Sequence, residues 1–141
     1  MMAPRLSVLL MTSILLVNTG VTAAEPDAKL APIQKIEGVQ AKESIFEACS
    51  VKKPQVIRTA EDAAKHFDEA NLKALAEKVD FAQQIVLVFA WRGSGQDRLE
   101  SRVAESYPEQ ITFSLTPGRT RDLRQHIEIF ALRSNVKWTV R

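Results

Sequence analysis

Five arginines stand in or beside two glycine-containing segments near the C-terminus. Arg92 and Arg98 flank Gly93-Ser94-Gly95-Gln96-Asp97, and Arg119, Arg121 and Arg124 fall in or just after Thr116-Pro117-Gly118-Arg119-Thr120-Arg121-Asp122. A guanidinium presents a planar fork of donors that suits carboxylate and phosphate oxygens. Glycine-containing turns add backbone N–H groups that can converge on an anion. Brought together, the two segments would form an anion-binding edge, with Arg92, Gly93, Ser94, Gly95, Arg119, Arg121 and Arg124 as the ligand-binding residues. Asp97 and Asp122 lie in the same segments and compete for those arginines. The alternative is ordinary: a hairpin loop, a Pro-Gly β-turn and surface charge.

Catalytic chemistry has less to work with. Ser94, Asp97 and His126 follow the chain order of hydrolases with a nucleophile elbow. The Gly-x-Ser-x-Gly spacing is missing, however, and a strand pattern follows Ser94 where an elbow needs a helix. His66, His126 and Cys49 are too far apart for a metal-ligand motif. Gly93-x-Gly95 stops short of a dinucleotide-binding glycine pattern. We therefore assign no catalytic residue, no metal site and no cofactor. Trp91 and Trp138 read as packing residues of strands.

The elements that must position the loops are legible from periodicity. Ile85-Val86-Leu87-Val88-Phe89-Ala90-Trp91 is apolar throughout, which marks a central strand covered on both faces. Leu99, Ser101 and Val103 form a weaker alternating strand, and Ile111, Phe113 and Leu115 a clear one. Two further alternating segments follow at Ile127–Leu132 and Lys137–Val140. Upstream, Thr59 is positioned to cap a helix from Ala60 to about Phe67, with Asp62 at the capping-box position. Leu72, Leu75, Ala76 and Val79 make the apolar stripe of a second helix. Ile45 to Cys49 reads as an apolar, strand-like run that buries an inert thiol. The expectation is an α+β domain: an antiparallel meander of about five strands with one or two helices on one face. In a meander, loops separated by two strands return to the same edge. Segments 92–97 and 116–122 should then lie side by side, with Trp91 beneath them against the stem of Arg119 or Arg121.

The N-terminus sets the compartment. Arg5, the apolar stretch Leu6–Val17 and Thr22-Ala23-Ala24 follow the plan of a secretory signal peptide, so residues 1–24 are expected to be removed. Residues 25–34, with Pro26 and Pro32, read as a flexible linker, and 35–141 as a single domain. The mature chain is expected to be exported, periplasmic or extracellular, with no membrane span. Its one cysteine excludes an internal disulfide. Lys+Arg number 19 and Asp+Glu 17. Eight of the nine basic residues after Ala90 are arginines, yet this excess is too thin for a nucleic-acid interface.

Val56-Ile57-Arg58-Thr59-Ala60-Glu61-Asp62, followed by Val79-Asp80-Phe81-Ala82-Gln83-Gln84-Ile85-Val86-Leu87-Val88, resembles the C-terminal domain of the PrcB protease-complex family. The shared layout is a short strand, a capped helix, a Val-Asp-Phe junction and a buried strand, over about a quarter of the mature chain. The resemblance implies an exported domain that assists a protease, and it carries over no catalytic residue. The chain departs from it after the buried strand, where Arg92-Gly93-Ser94-Gly95 replaces a Pro-Thr-Gly-Gly-Tyr type of turn. The functional expectation is an exported, non-enzymatic binding or interaction module for an anionic ligand or an exported protein partner. A small extracytoplasmic hydrolase of anionic polymers, using Asp97, Asp122 and His126, is the alternative, and a purely structural envelope protein is a third.

Overall fold

The segment Gln84–Gly93 is buried along its first eight residues, and the architecture follows from what covers its two faces. The computed structural model describes residues 30–141. The expected signal peptide and the first half of the expected linker, residues 25–29, lie outside them. In chain order the elements are β1 (Ile33–Ile36), α1 (Ile45–Ala48), β2 (Gln55–Ile57), α2 (Ala60–Ala64), α3 (Glu69–Lys78), β3 (Gln84–Gly93), β4 (Arg98–Ala104), β5 (Gln110–Thr116), β6 (Arg124–Arg133) and β7 (Lys137–Val140). Ile33 and Gln34 thus belong to the first strand and not to a linker.

Among the described residues seven strands form two sheets. The first is antiparallel, in the order β1-β6-β3-β2, and the second has the order β4-β5-β7. Within the second, β4 and β5 are antiparallel and β5 and β7 parallel. Even-numbered residues of β3 (Val86, Val88, Ala90) join Ile129 and Ala131 of β6 against Ile45, Ala63, Phe67, Leu75 and Val79 of the helical layer. Odd-numbered ones (Ile85, Leu87, Phe89, Trp91) join Phe130 and Leu132 against Ile111 and Phe113 of the second sheet. The fold is a three-layer α+β arrangement, helices on sheet on sheet.

This corrects the expected meander. β3 pairs with β6 and β2, not with β4, and β5 pairs with β4 and β7, not with β6. A single sheet with helices on one face would have left Leu87 and Phe89 in water. At about 25 cal/mol per Å² of apolar surface, that loss outweighs the benefit of a simpler connection. The chain instead builds one long antiparallel ribbon, β3–β4 running out and β5–β6 returning, and folds it over itself. Pairing is continuous from Gln84↔Arg133 to Gly93↔Arg124 and resumes at Arg98↔Thr116. Between those points four residues on one side face seven on the other, and the ribbon bends there.

The helical layer follows its capping signals. Thr59 Oγ1 accepts from the Asp62 N–H at 3.1 Å, and Asp68 Oδ1 accepts from the Asn71 N–H at 2.8 Å. Asp62 does not complete a capping box, because its carboxylate pairs with Lys65 at 3.5 Å. The first capped helix ends at Ala64, short of Phe67. Leu72, Leu75 and Val79 pack on the sheet as expected, but Ala76 is exposed and Ala74 takes its place. The run Ile45–Cys49 is a helical turn and not a strand: the Cys49 N–H and Sγ both donate to the Ile45 carbonyl, at 3.0 and 3.3 Å. Burial pushes the Cys49 thiol pKa up. Ellman's reagent is therefore expected to leave the native protein unmodified over minutes and to titrate one thiol in guanidinium. A fast native reaction would place Cys49 at the surface.

Candidate functional site

The bend of the ribbon is where the two glycine-containing segments meet. They lie side by side, as parity predicts: β4 and β5 between them are antiparallel neighbours, although β3 and β6 on either side pair with each other and not with β4 and β5. Three contacts bridge them. The Gly118 N–H donates to Asp97 Oδ1 at 2.7 Å, the Gly95 N–H donates to Asp122 Oδ1 at 3.1 Å, and the Ser94 and Thr120 hydroxyls share a short hydrogen bond. The approach is close enough to require glycine at 118. A Cβ there would come within 2.6 Å of the Gln96 backbone carbon and of Ser94 Oγ.

Asp97 is the centre of this arrangement. Its second oxygen accepts from Trp91 Nε1 at 3.2 Å, so one carboxylate holds the end of β3 and the opposite loop together. Trp91 is stacked on His126, with centroids 4.8 Å apart and planes 13° from parallel. The expected packing of Trp91 on Arg119 or Arg121 is thereby replaced by imidazole. His126 Nε2 lies 2.7 Å from the Ser94 carbonyl oxygen. A carbonyl only accepts, so Nε2 carries a proton. Ser94 Oγ meanwhile accepts from the Gln96 N–H at 3.2 Å. Ser94, Asp97 and His126 are neighbours, but the imidazole addresses the serine's carbonyl and not its hydroxyl, which is not nucleophile–base geometry.

Asp122 plays the matching role on the outer side. Bonds from the Thr120 side chain, the Gly95 N–H and the Arg124 guanidinium lower its pKa from 3.8 to about 2. Its ion pair with Arg124 Nε is 2.9 Å long. The sign of the linkage is clear. A depressed carboxylate stabilises the folded loops above its ordinary pKa of 3.8, and that contribution is lost as pH falls through about 2. The Gly95 amide resonance is expected to titrate with a midpoint near 2 and to stop titrating in that range in Asp122→Asn. A midpoint near 4 would mean that the latch is open in solution.

The arginines separate into three groups. Arg124 is paired with Asp122. Arg92 leaves the loop edge altogether: as an even-numbered residue of β3 it lies on the helical side, with its guanidinium carbon 4.7 Å from the centroid of the Phe46 ring. Arg98, Arg119 and Arg121 are exposed, and none is in an ion pair within the described residues. Arg98 and Arg119 border a cleft of about 550 Å³ whose floor is formed by Gly95–Asp97 and Thr116–Gly118. A second hollow of about 340 Å³ lies over Asp122, Arg124 and His126. The backbone amides of Gly95 and Gly118 do not face ligand, because the chain's own carboxylates accept from them. Arg98 and the latch role of Asp97 were less visible in sequence than the glycine-arginine pattern. The spacing of an indole and a carboxylate six residues apart across a turn, Trp91 to Asp97, is the signal that points to the latch.

Among the described residues no three His, Cys, Asp or Glu side chains gather in a cluster that could hold a metal ion, and no helix is long and apolar enough to cross a membrane. No family model, curated protein or solved structure matches the chain. The PrcB likeness thus rests on the residues quoted for it alone.

Proposed function

We propose that the protein is an exported binding module that takes an anionic group, carboxylate or phosphate, in the cleft between Arg98 and Arg119. The observation that carries this reading is an asymmetry of partners. Both acids of the loops are engaged inside the latch, while the two guanidiniums at the cleft pair with no carboxylate among the described residues. A second fixed feature supports it: the cleft floor is held from both sides by hydrogen bonds, so little ordering accompanies binding. Asp97, Asp122 and His126 are each committed to the loop structure, which favours a binding role over hydrolysis.

Titration with inorganic phosphate, and with a short polyanion such as tripolyphosphate, tests the assignment. Shifts of the amides of residues 95–98 and 116–119 are expected in the NMR spectrum, weakening as salt rises. Arg98→Ala and Arg119→Ala are each expected to reduce affinity about tenfold, the effect of losing one charge-assisted hydrogen bond. Binding that is undisturbed in the double variant would remove the assignment.

A further inference from the structure

The second sheet ends on β4, and this edge differs from the other three. β1, β2 and β7 are four, three and four residues long, whereas β4 runs seven residues in unbroken register with β5. It has none of the prolines, glycines or bulges that blunt natural edges. Every residue of β4 except Leu99 is exposed. Leu99, Ser101 and Val103 stand opposite Leu115, Phe113 and Ile111 on the core side, yet Val103 remains 39% exposed. Alternation places Arg98, Glu100 and Arg102 on the other side. Neither Glu100 nor Arg102 is in an ion pair within the described residues.

The order Leu99-Glu100-Ser101-Arg102-Val103 is its own complement when reversed. Laid antiparallel on a second copy with Ser101 facing Ser101, each Glu100 meets an Arg102 and each Leu99 meets a Val103. The neighbouring registers that keep the same faces together are slipped by two residues. One sets Glu100 on Glu100 and Arg98 on Arg102, and the other sets Arg102 on Arg102. Like charges directly opposite are unfavourable, so the pattern selects a single register. A two-fold axis through that register satisfies the isologous condition of a homodimer: each contact occurs twice.

We propose that two copies of this chain pair β4 to β4 about Ser101, joining their second sheets into one continuous sheet. Backbone groups left open at the edge then find partners, and the exposed part of Val103 is covered by Leu99 of the other copy. The proposal is independent of the anion reading, since Glu100 and Arg102 take no part in the cleft. An interface of one strand edge is small, so the dimer is weak and depends on concentration.

Sedimentation equilibrium from about 10 μM to 1 mM protein reads the association. Glu100→Arg and Arg102→Glu are each expected to raise the dissociation constant at least tenfold. The double exchange Glu100→Arg/Arg102→Glu is expected to restore it to within about threefold, because each new arginine again faces a glutamate. Ser101→Cys provides a route that leaves the charges intact. At the dyad the two Cα atoms would lie about 4.5–5.5 Å apart, within disulfide reach. Mild oxidation should therefore yield a covalent dimer, while the parent, with only the buried Cys49, stays uncrosslinked. A parent protein that is monomeric throughout the range overturns the proposal. So does a double exchange no better than the single variants, or an association that persists while Ser101→Cys fails to cross-link.

Discussion

Phe113→Ala is expected to lower the free energy of unfolding by about 3–5 kcal/mol, the range for deleting a fully buried aromatic side chain. Phe113 of β5 is inaccessible to solvent and, with Ile111, packs the second sheet against the first. Its ring lies 4.8 Å from that of Phe89 and 5.2 Å from that of Phe130, and Phe89 and Phe130 meet edge to face at 5.9 Å. These tilted and edge-on arrangements suit the ring quadrupoles. The neighbours sit on strands fixed by ladders on both sides, so they cannot collapse into the space left behind. Denaturant titration measures the loss as a lower midpoint at unchanged slope. A loss below about 1.5 kcal/mol would mean that the two sheets are not packed through this cluster.

Arg133→Ala is expected to cost about 3 kcal/mol, because it breaks a largely buried ion pair by removing one partner. The Arg133 side chain is 13% exposed and that of Glu109 22%. Its Nη2 pairs with the Glu109 carboxylate, its Nε donates to Asn135 Oδ1 at 2.7 Å, and its Nη1 donates to the Leu30 carbonyl at 3.1 Å. One guanidinium therefore ties the end of β6 to the β4–β5 turn and to the start of the described chain, at the end of the sandwich away from the glycine-arginine loops. Arg133→Lys keeps the charge but lacks the fork, and should recover only part of the loss. A cycle with Glu109→Gln separates the ion pair from the two other bonds. A coupling energy near zero would show that Glu109 contributes nothing to holding Arg133.

What could be read from the sequence, and what could not, divides along the range of the interactions. Thr59 and its helix are legible because capping is decided within four residues. Leu75 and Val79 are legible because a helical stripe is a local pattern. The meeting of the two loops is also legible, since parity depends only on the number of strands between them. Which strands pair is a different matter. Every position from Ile85 to Trp91 is apolar, and this correctly requires cover on both faces, but it does not say that a second sheet supplies one of them. The same limit applies to β7, which pairs in parallel with β5 from Gln110↔Lys137, where the Lys137 N–H donates to the Glu109 carbonyl; its own alternation does not name that partner. Ile45–Cys49 has the pattern of a strand yet forms a helical turn, because a short apolar run suits either equally. At the loops, residue types were a good guide to position and a poor one to partners. Arg92 is next to Gly93 in sequence but projects to the opposite face of the sheet, since neighbouring residues of a strand always do.

The folded-over ribbon has a consequence for the order in which the molecule can be assembled. Its tip, between β4 and β5, brings together residues close in sequence, and pairing can propagate from there through the bend to Gln84↔Arg133. β1 depends on the far end of the same ribbon, where Ile33 pairs with Leu132. During synthesis the first strand to emerge is thus the one that must wait for almost the whole chain before it has a neighbour. Closing a loop that long is slow compared with hairpin formation. Until β6 has been made, no N-terminal fragment contains a partner for either β1 or the open side of β3. A nascent chain truncated before residue 124 should therefore remain sensitive to protease along its entire length, and acquire resistance in a single step once β6 is released.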